Sequence, residues 1–144
     1  MGSSGSTGGE AEPRAVAALR ALGVEHVATR YPPARSLPEA AAMRGLRPGD
    51  IVKSMVVRRG EDDFLFVLVP GDRQISWPKL RALLGVSRLS MPPADVALAV
   101  TGYERGTITP FGSTRAWPVI ADQRVSGTIS LGAGAHGVAA TLEA

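Results

Sequence analysis

Lys53 stands at the centre of the run Gly49-Asp50-Ile51-Val52-Lys53-Ser54-Met55-Val56-Val57. Ile51, Val52, Val56 and Val57 are β-branched, so the run reads as a strand. An ammonium in a buried strand is costly unless it is paired or meets a bound anion. The chain holds two lysines, Lys53 and Lys79, against fourteen arginines. Position 53 therefore suits a compact ammonium rather than a planar guanidinium. The strand alone also allows an edge lysine that points at water and blunts aggregation. Both readings are open at this point.

Two glycine-bearing segments could place backbone against a ligand. Gly106-Thr107-Ile108-Thr109-Pro110 has a glycine that permits close approach and a proline that stiffens the far end. It could equally be a connection that needs turn residues. Gly132-Ala133-Gly134-Ala135-His136-Gly137 could cradle an anion through its amides, or form a glycine bulge where strands crowd. It lacks the G-x-G-x-x-G spacing of a dinucleotide site, and no lysine follows to make a Walker loop. His26 and His136 are the only histidines, and no metal-ligand spacing links them. His136 could donate a hydrogen bond or shape a pocket wall, whereas His26 reads as a surface or packing residue. No G-x-S-x-G elbow surrounds Ser54. Alternation along the strand puts Lys53 and Ser54 on opposite faces. Trp77 and Trp117 read as core or pocket lining.

The elements that must position these residues follow from pattern and punctuation. Residues 1–10 are Gly/Ser-rich at the start and read as a flexible tail or an appended leader; residues 11–144 read as one domain. A helix is expected over 13–22, with Pro13 in the first turn and Gly23 as the stop. A strand is expected over 25–31, ended by Pro32-Pro33. A short Ala-rich helix over 38–44 has Ser36 as its cap and Gly45 as its stop. The Lys53 strand leads into a charged turn over 58–63, then a strand over 64–69 buried on both faces. A short strand is expected over 74–76. Further helices are expected over 78–84, with Leu80, Leu83 and Leu84 inward, and over 93–100, with Asp95 near its dipole. A shaped loop covers 101–112. Strands over 117–121, 128–131 and 138–142 complete an α+β domain with a mixed sheet.

Composition bounds the class. With 144 residues, 44% hydrophobic and 20% charged, the chain has material for one sizeable core. The net charge of +3 permits a polyanion partner without demanding one. The absence of cysteine removes disulfides, thiolate nucleophiles and cysteine metal sites. No apolar run is long enough for a membrane span and no secretion pattern opens the chain, so a cytoplasmic location is expected.

Three of these stretches together resemble the YbaK/ProX family, the editing domains related to the insertion domain of bacterial prolyl-tRNA synthetase. They are Ile51 through Val57 around Lys53, the Thr101-Gly102-Tyr103-Glu104-Arg105-Gly106-Thr107-Ile108-Thr109-Pro110-Phe111-Gly112 loop, and the Gly132 to Gly137 run. The upstream Pro38-Glu39-Ala40-Ala41 helix also looks like the family, and the resemblance covers roughly residues 14–142. It implies a mixed, barrel-like sheet flanked by short helices. The activity implied is that of a free-standing trans-editing deacylase, which cleaves the ester of mischarged aminoacyl-tRNA, often tRNA for proline. A non-catalytic module that binds tRNA or a synthetase is the alternative on the same fold.

Carried over, the family lysine is Lys53, which contacts the aminoacyl-adenosine end and positions the ester. The family G-x-x-x-P loop is Gly106 and Pro110, and Gly106 joins Lys53 in the catalytic set. Ser54, Tyr103, Gly132, Gly134, His136 and Gly137 would complete the substrate pocket. No metal or organic cofactor is implied. The partners implied are the acceptor end of aminoacyl-tRNA and prolyl-tRNA synthetase, with no membrane. Members that act on cysteinyl-tRNA tend to carry a serine where this chain has Gly132 and a basic residue at His136, so cysteine specificity is not implied.

Overall fold

A computed structural model describes residues 13–144. The tail or leader expected over residues 1–10 lies outside the described residues. Helix α1 (Arg14–Ala21) starts after Pro13 and buries Ala15, Val16 and Leu19. Strand β1 is His26–Arg30. Helix α2 (Leu37–Arg44) is capped as the sequence indicates: Glu39 N donates to Ser36 Oγ at 3.2 Å, and Gly45 closes the helix at φ +69°. Such a serine cap is worth about 1 kcal/mol.

A 3-10 turn (Pro48–Asp50) leads into β2 (Val52–Gly60), which pairs antiparallel with β3 (Asp63–Pro70). The charged turn expected over 58–63 is tighter than its composition suggests. Ladder pairing continues to Gly60 and Asp63, with a register shift between Arg58 and Gly60. Only Glu61 and Asp62 remain outside the strands, and Asp62 takes φ +52°, a region aspartate tolerates. Helices α3 (Trp77–Leu84) and α4 (Ala94–Thr101) follow, then β4 (Val119–Ala121), β5 (Thr128–Gly132) and β6 (Val138–Glu143).

The strands form two three-stranded sheets, in the orders β1-β6-β5 and β2-β3-β4. The first is antiparallel throughout; in the second, β4 runs parallel to β3, with Phe66 opposite Val119. The sheets meet at a parallel bridge between Ile51 and Ser130. The α+β class with a mixed sheet holds, but the sheets do not close into the barrel-like form that the resemblance implies.

Strand β3 is buried on both faces, as its apolar run predicts. Leu65, Val67 and Val69 pack with Val57 against Leu80 and Trp77 of α3. Phe64 and Phe66 pack with Val56 against Val96 and Val100 of α4. Each such buried side chain contributes about 1.5–3 kcal/mol.

Three local expectations need correction. Residues 74–76 form no strand; they are the extended approach to α3. Leu83 is 69% exposed, because α3 turns Leu80 and Leu84 inward and leaves Leu83 on the outer face. The strand expected over 117–121 begins only at Val119. Trp117 stands edge-on to Phe64 at 5.3 Å, and its Nε1 donates to Val100 O at 2.8 Å, which holds it off the ladder. Both tryptophans are core packing residues. His26 is half-buried, with Nδ1 2.8 Å from Val24 O.

Candidate functional site

Strand β2 has one edge fully paired to β3. Its other edge meets isolated bridges at Ile51–Ser130 and Arg58–Ser90. Between those bridges the edge borders a cleft of about 410 Å³. Lys53, Ser54 and Met55 form one wall, and Gly106 and Ile108 of the long loop form a second. Gly132, Ala135 and Gly137 of the β5–β6 turn close the third side. Three separated stretches of sequence therefore converge on one cavity.

Alternation along β2 does point Lys53 and Ser54 to opposite faces, yet both border this cleft. The cavity lies along the edge of the strand, where residues of either face reach it. Lys53 is half-buried, and its side chain makes no hydrogen bond or ion pair among the described residues. Ser54 Oγ is buried and has no hydrogen-bond partner among the described residues. An unpaired buried hydroxyl costs about 1–3 kcal/mol.

The walls are tied to one another. Thr107 Oγ1 and N both donate to Glu104 O, at 2.7 and 3.0 Å, which fixes the turn after Gly106. Gly134 N donates to Thr107 O at 3.1 Å and joins the loop to the glycine run. Gly106 has φ +90°, and a Cβ there would stand 3.8 Å from His136 Cε1. His136 is thus exposed on the rim beside Gly106 rather than in the cleft. Tyr31 N donates to Gly137 O at 2.7 Å, which anchors the far end of the run.

Three further residues of the expected pocket do not line it either. Tyr103 is 3% exposed and donates from its hydroxyl to Phe111 O at 2.6 Å. Arg14 covers its ring at 4.7 Å, and burial pushes the phenol up from its ordinary pKa against the opposing pull of that arginine. Gly134 packs on the ring: a Cβ at this position would lie 2.7 Å from Tyr103 Cε1. Pro110 is half-buried at the end of the loop and does not line the cleft.

The cleft also holds residues that pattern alone does not single out. Arg44, from the last turn of α2, lines it. Its Nη1 donates to Ser130 Oγ at 3.0 Å, and its guanidinium lies 5.2 Å from the centre of the Tyr31 ring. Desolvation holds its pKa below the ordinary arginine value, and no carboxylate pairs with it among the described residues. Arg105 borders the cleft on an exposed position. Met91, Pro92 and Ala97 supply an apolar floor. Among the described residues, three cations and no carboxylate line the cavity, so its chemistry favours an anionic ligand with an apolar part. Among the described residues, no three His, Asp or Glu side chains come together to hold a metal ion. No helix among the described residues is long and apolar enough to cross a membrane.

An α+β domain with a cationic cleft between two sheet edges is the class that fold and site define. The sequence profile of the aminoacyl-tRNA editing domain matches residues 31–143, and the chain belongs to that family. It is 33% identical over 133 residues to the proline–tRNA ligase of Heliobacterium modesticaldum, across 92% of this chain and 22% of the ligase. It is 30% identical over 105 residues to the proline–tRNA ligase of Bacillus licheniformis, across 73% of this chain and 18% of that one. The chain thus spans about a fifth of the length of these curated relatives. A solved structure described as a candidate trans-editing enzyme for prolyl tRNA synthetase shares the fold, with a TM-score of 0.80 and 24% identity. The overlap covers 93% of this chain and 88% of that one.

Proposed function

We propose that this domain hydrolyses the ester between a wrongly attached amino acid and tRNA, with tRNA for proline as the substrate class. The observation that carries this reading is the meeting of Lys53, Gly106 and the Gly132–Gly137 run around one cationic cleft. Membership of the editing family and the kinship with proline–tRNA ligases support it.

In the proposed reaction, water adds to the ester carbonyl carbon and the carbonyl oxygen gains negative charge. The bond to the ribose oxygen then breaks, and a proton from the water passes to that oxygen. Free amino acid and tRNA with an intact terminal ribose result. Lys53 is the candidate for placing the terminal nucleotide and stabilising the developing charge. Gly106 lets the loop backbone approach the reacting group without a side chain between them. Among the described residues the lining contains no Asp, Glu or His. Proton transfer is therefore assigned to groups that the substrate brings, the free amine as acceptor or the vicinal ribose hydroxyl as a relay that passes its own proton to the leaving oxygen. Aminoacyl esters are already activated, so positioning and charge stabilisation supply the required rate gain. Ser54, Gly132 and Gly137 shape the amino-acid side of the pocket, His136 its rim, and Tyr103, Pro110 and Gly134 hold the loop in place.

The test is deacylation of alanyl-, cysteinyl- and seryl-tRNA for proline, with correctly charged controls, by the wild type and by Lys53→Ala. Release of one mischarged amino acid, lost on substitution, is the expected result. Charged tRNA that stays bound and intact would instead mark a binding module on the same fold.

A further inference from the structure

A second groove lies at the other end of β2, around the hairpin to β3. It measures about 520 Å³ and is bordered by Arg58, Arg59, Arg81 and Arg88, with Glu61 as the one acid of the lining among the described residues. The local excess of three positive charges equals the formal net charge of the whole chain. The rest of the chain is therefore balanced. Asp63 takes up Arg59, with Nε to Oδ2 at 3.0 Å, and Arg58 Nε donates to Gly60 O at 3.2 Å. The side chains of Arg81 and Arg88 have no hydrogen-bond or ion-pair partner among the described residues.

The groove shares no lining residue with the cleft, but the two are neighbours along the chain. Ser90 pairs with Arg58 through both backbone bonds, at 2.7 and 3.1 Å, on the same edge of β2 that borders the cleft. Ser87 through Ser90 line the groove, and the next two residues, Met91 and Pro92, line the cleft. Lys53 and Arg58 are five residues apart on an extended strand, a separation of about 17 Å. Two guanidinium groups without side-chain partners among the described residues, Arg81 and Arg88, in a groove bordered by two more arginines, suit phosphate oxygens.

We propose that the Arg58–Arg88 groove binds the phosphate backbone of tRNA that leads away from the terminal nucleotide in the cleft. The proposal rests on the editing function above, since that function places the RNA end at Lys53.

The experiment uses the intact chain with uncharged tRNA for proline and, separately, a cytidine-cytidine-adenosine trinucleotide. Binding is followed by fluorescence anisotropy across a salt series for the wild type and the doubly substituted Arg81→Gln/Arg88→Gln protein. The expected result is several-fold weaker tRNA binding at low salt. The slope of log K against log salt should become shallower by about 1.4–1.8, the value for two lost phosphate contacts. Trinucleotide affinity should stay unchanged, and the single variants should each give about half the slope change. Unchanged tRNA affinity and slope would overturn the proposal and leave an acidic protein surface as the partner. An equal loss for the trinucleotide would also overturn it, because the effect would not be local to the groove. Deacylation is read separately. Arginine-dependent tRNA binding without turnover would spare this proposal and sink the hydrolase reading; turnover with unaltered tRNA binding in the variants would do the reverse.

Discussion

Arg44 Nη1 donates to the fully buried hydroxyl of Ser130 at 3.0 Å, and this single bond ties the end of α2 to β5. Ser130 in turn bridges to Ile51, two residues before Lys53. The guanidinium is thereby fixed at the wall of the cleft with its remaining donors free of carboxylates among the described residues. A charge kept half-buried in that way is stabilised when an anion arrives.

Arg44→Gln is therefore expected to raise KM for the mischarged substrate by about tenfold, the worth of one charge-assisted hydrogen bond, and Arg44→Lys by less. The lysine variant keeps the charge but loses the planar fork, so it should recover only part of the loss. The kcat should change little if Arg44 holds the ground state and the transition state alike. Steady-state kinetics of the two variants check this. Equal losses in kcat and kcat/KM would place Arg44 in the chemical step instead.

Arg44 also shows where sequence reasoning stops. A lone arginine at the end of an Ala-rich helix reads as a partner of the helix dipole. Nothing in its neighbours tells that this helix end packs on β5. Met91 and Pro92 are hidden for a similar reason, since they lie in an aperiodic segment placed only by the Arg58–Ser90 pairing. By contrast, the cap Ser36, the stop Gly45 and the buried strand β3 were legible, because local chemistry decides each of them. The convergence of Lys53, Gly106 and Gly132 was legible only through the resemblance, because their separations carry no periodicity. Tyr103 falls between these cases. Its motif is visible, but its position behind the loop depends on Arg14, far away in the chain.

Ser54 gives an opposed pair of effects. Its buried, unpartnered Oγ destabilises the free protein. Ser54→Ala should stabilise the free protein by about 1 kcal/mol, by removal of that unpaired group. For a domain of this size the melting temperature should rise by about 3 °C. The same change should weaken turnover if the hydroxyl meets the substrate. Thermal melts and deacylation kinetics on one preparation test both halves, and a variant that is more stable and fully active would remove Ser54 from the site.

Acid should loosen the two turns that flank the sheet of β2, β3 and β4. The hydrogen bond from the Arg47 side chain holds the Asp50 carboxyl below its ordinary pKa. The Arg124 side chain does the same for Asp122. A depressed folded pKa contributes stability that is present above the unfolded value, about 3.9, and is lost as pH falls through the folded value. The urea midpoint should thus be level from pH 7 to about 5 with respect to these groups and fall below about 4. The Asp50→Asn/Asp122→Asn protein should fall less steeply over that lower range.

Gly134 and Gly127 separate backbone strain from packing. Both take left-handed φ, +87° and +69° respectively. Nothing lies within 4 Å of a Cβ on Gly127, whereas a Cβ on Gly134 would meet the Tyr103 ring at 2.7 Å. Gly127→Ala should cost only the backbone term, about 1–2 kcal/mol. Gly134→Ala should cost that and a further 1–3 kcal/mol for overpacking a buried ring, at about the same magnitude as the strain itself. The tyrosine cannot yield freely, since its hydroxyl is held by Phe111 O and its other face by Arg14. The displaced ring would push on the 106–110 loop, so Gly134→Ala should also lower deacylation while Gly127→Ala leaves it intact. Denaturant melts of the two variants, with deacylation rates beside them, measure the difference. Equal stability losses would show that the ring gives way and that Tyr103 does not brace the loop.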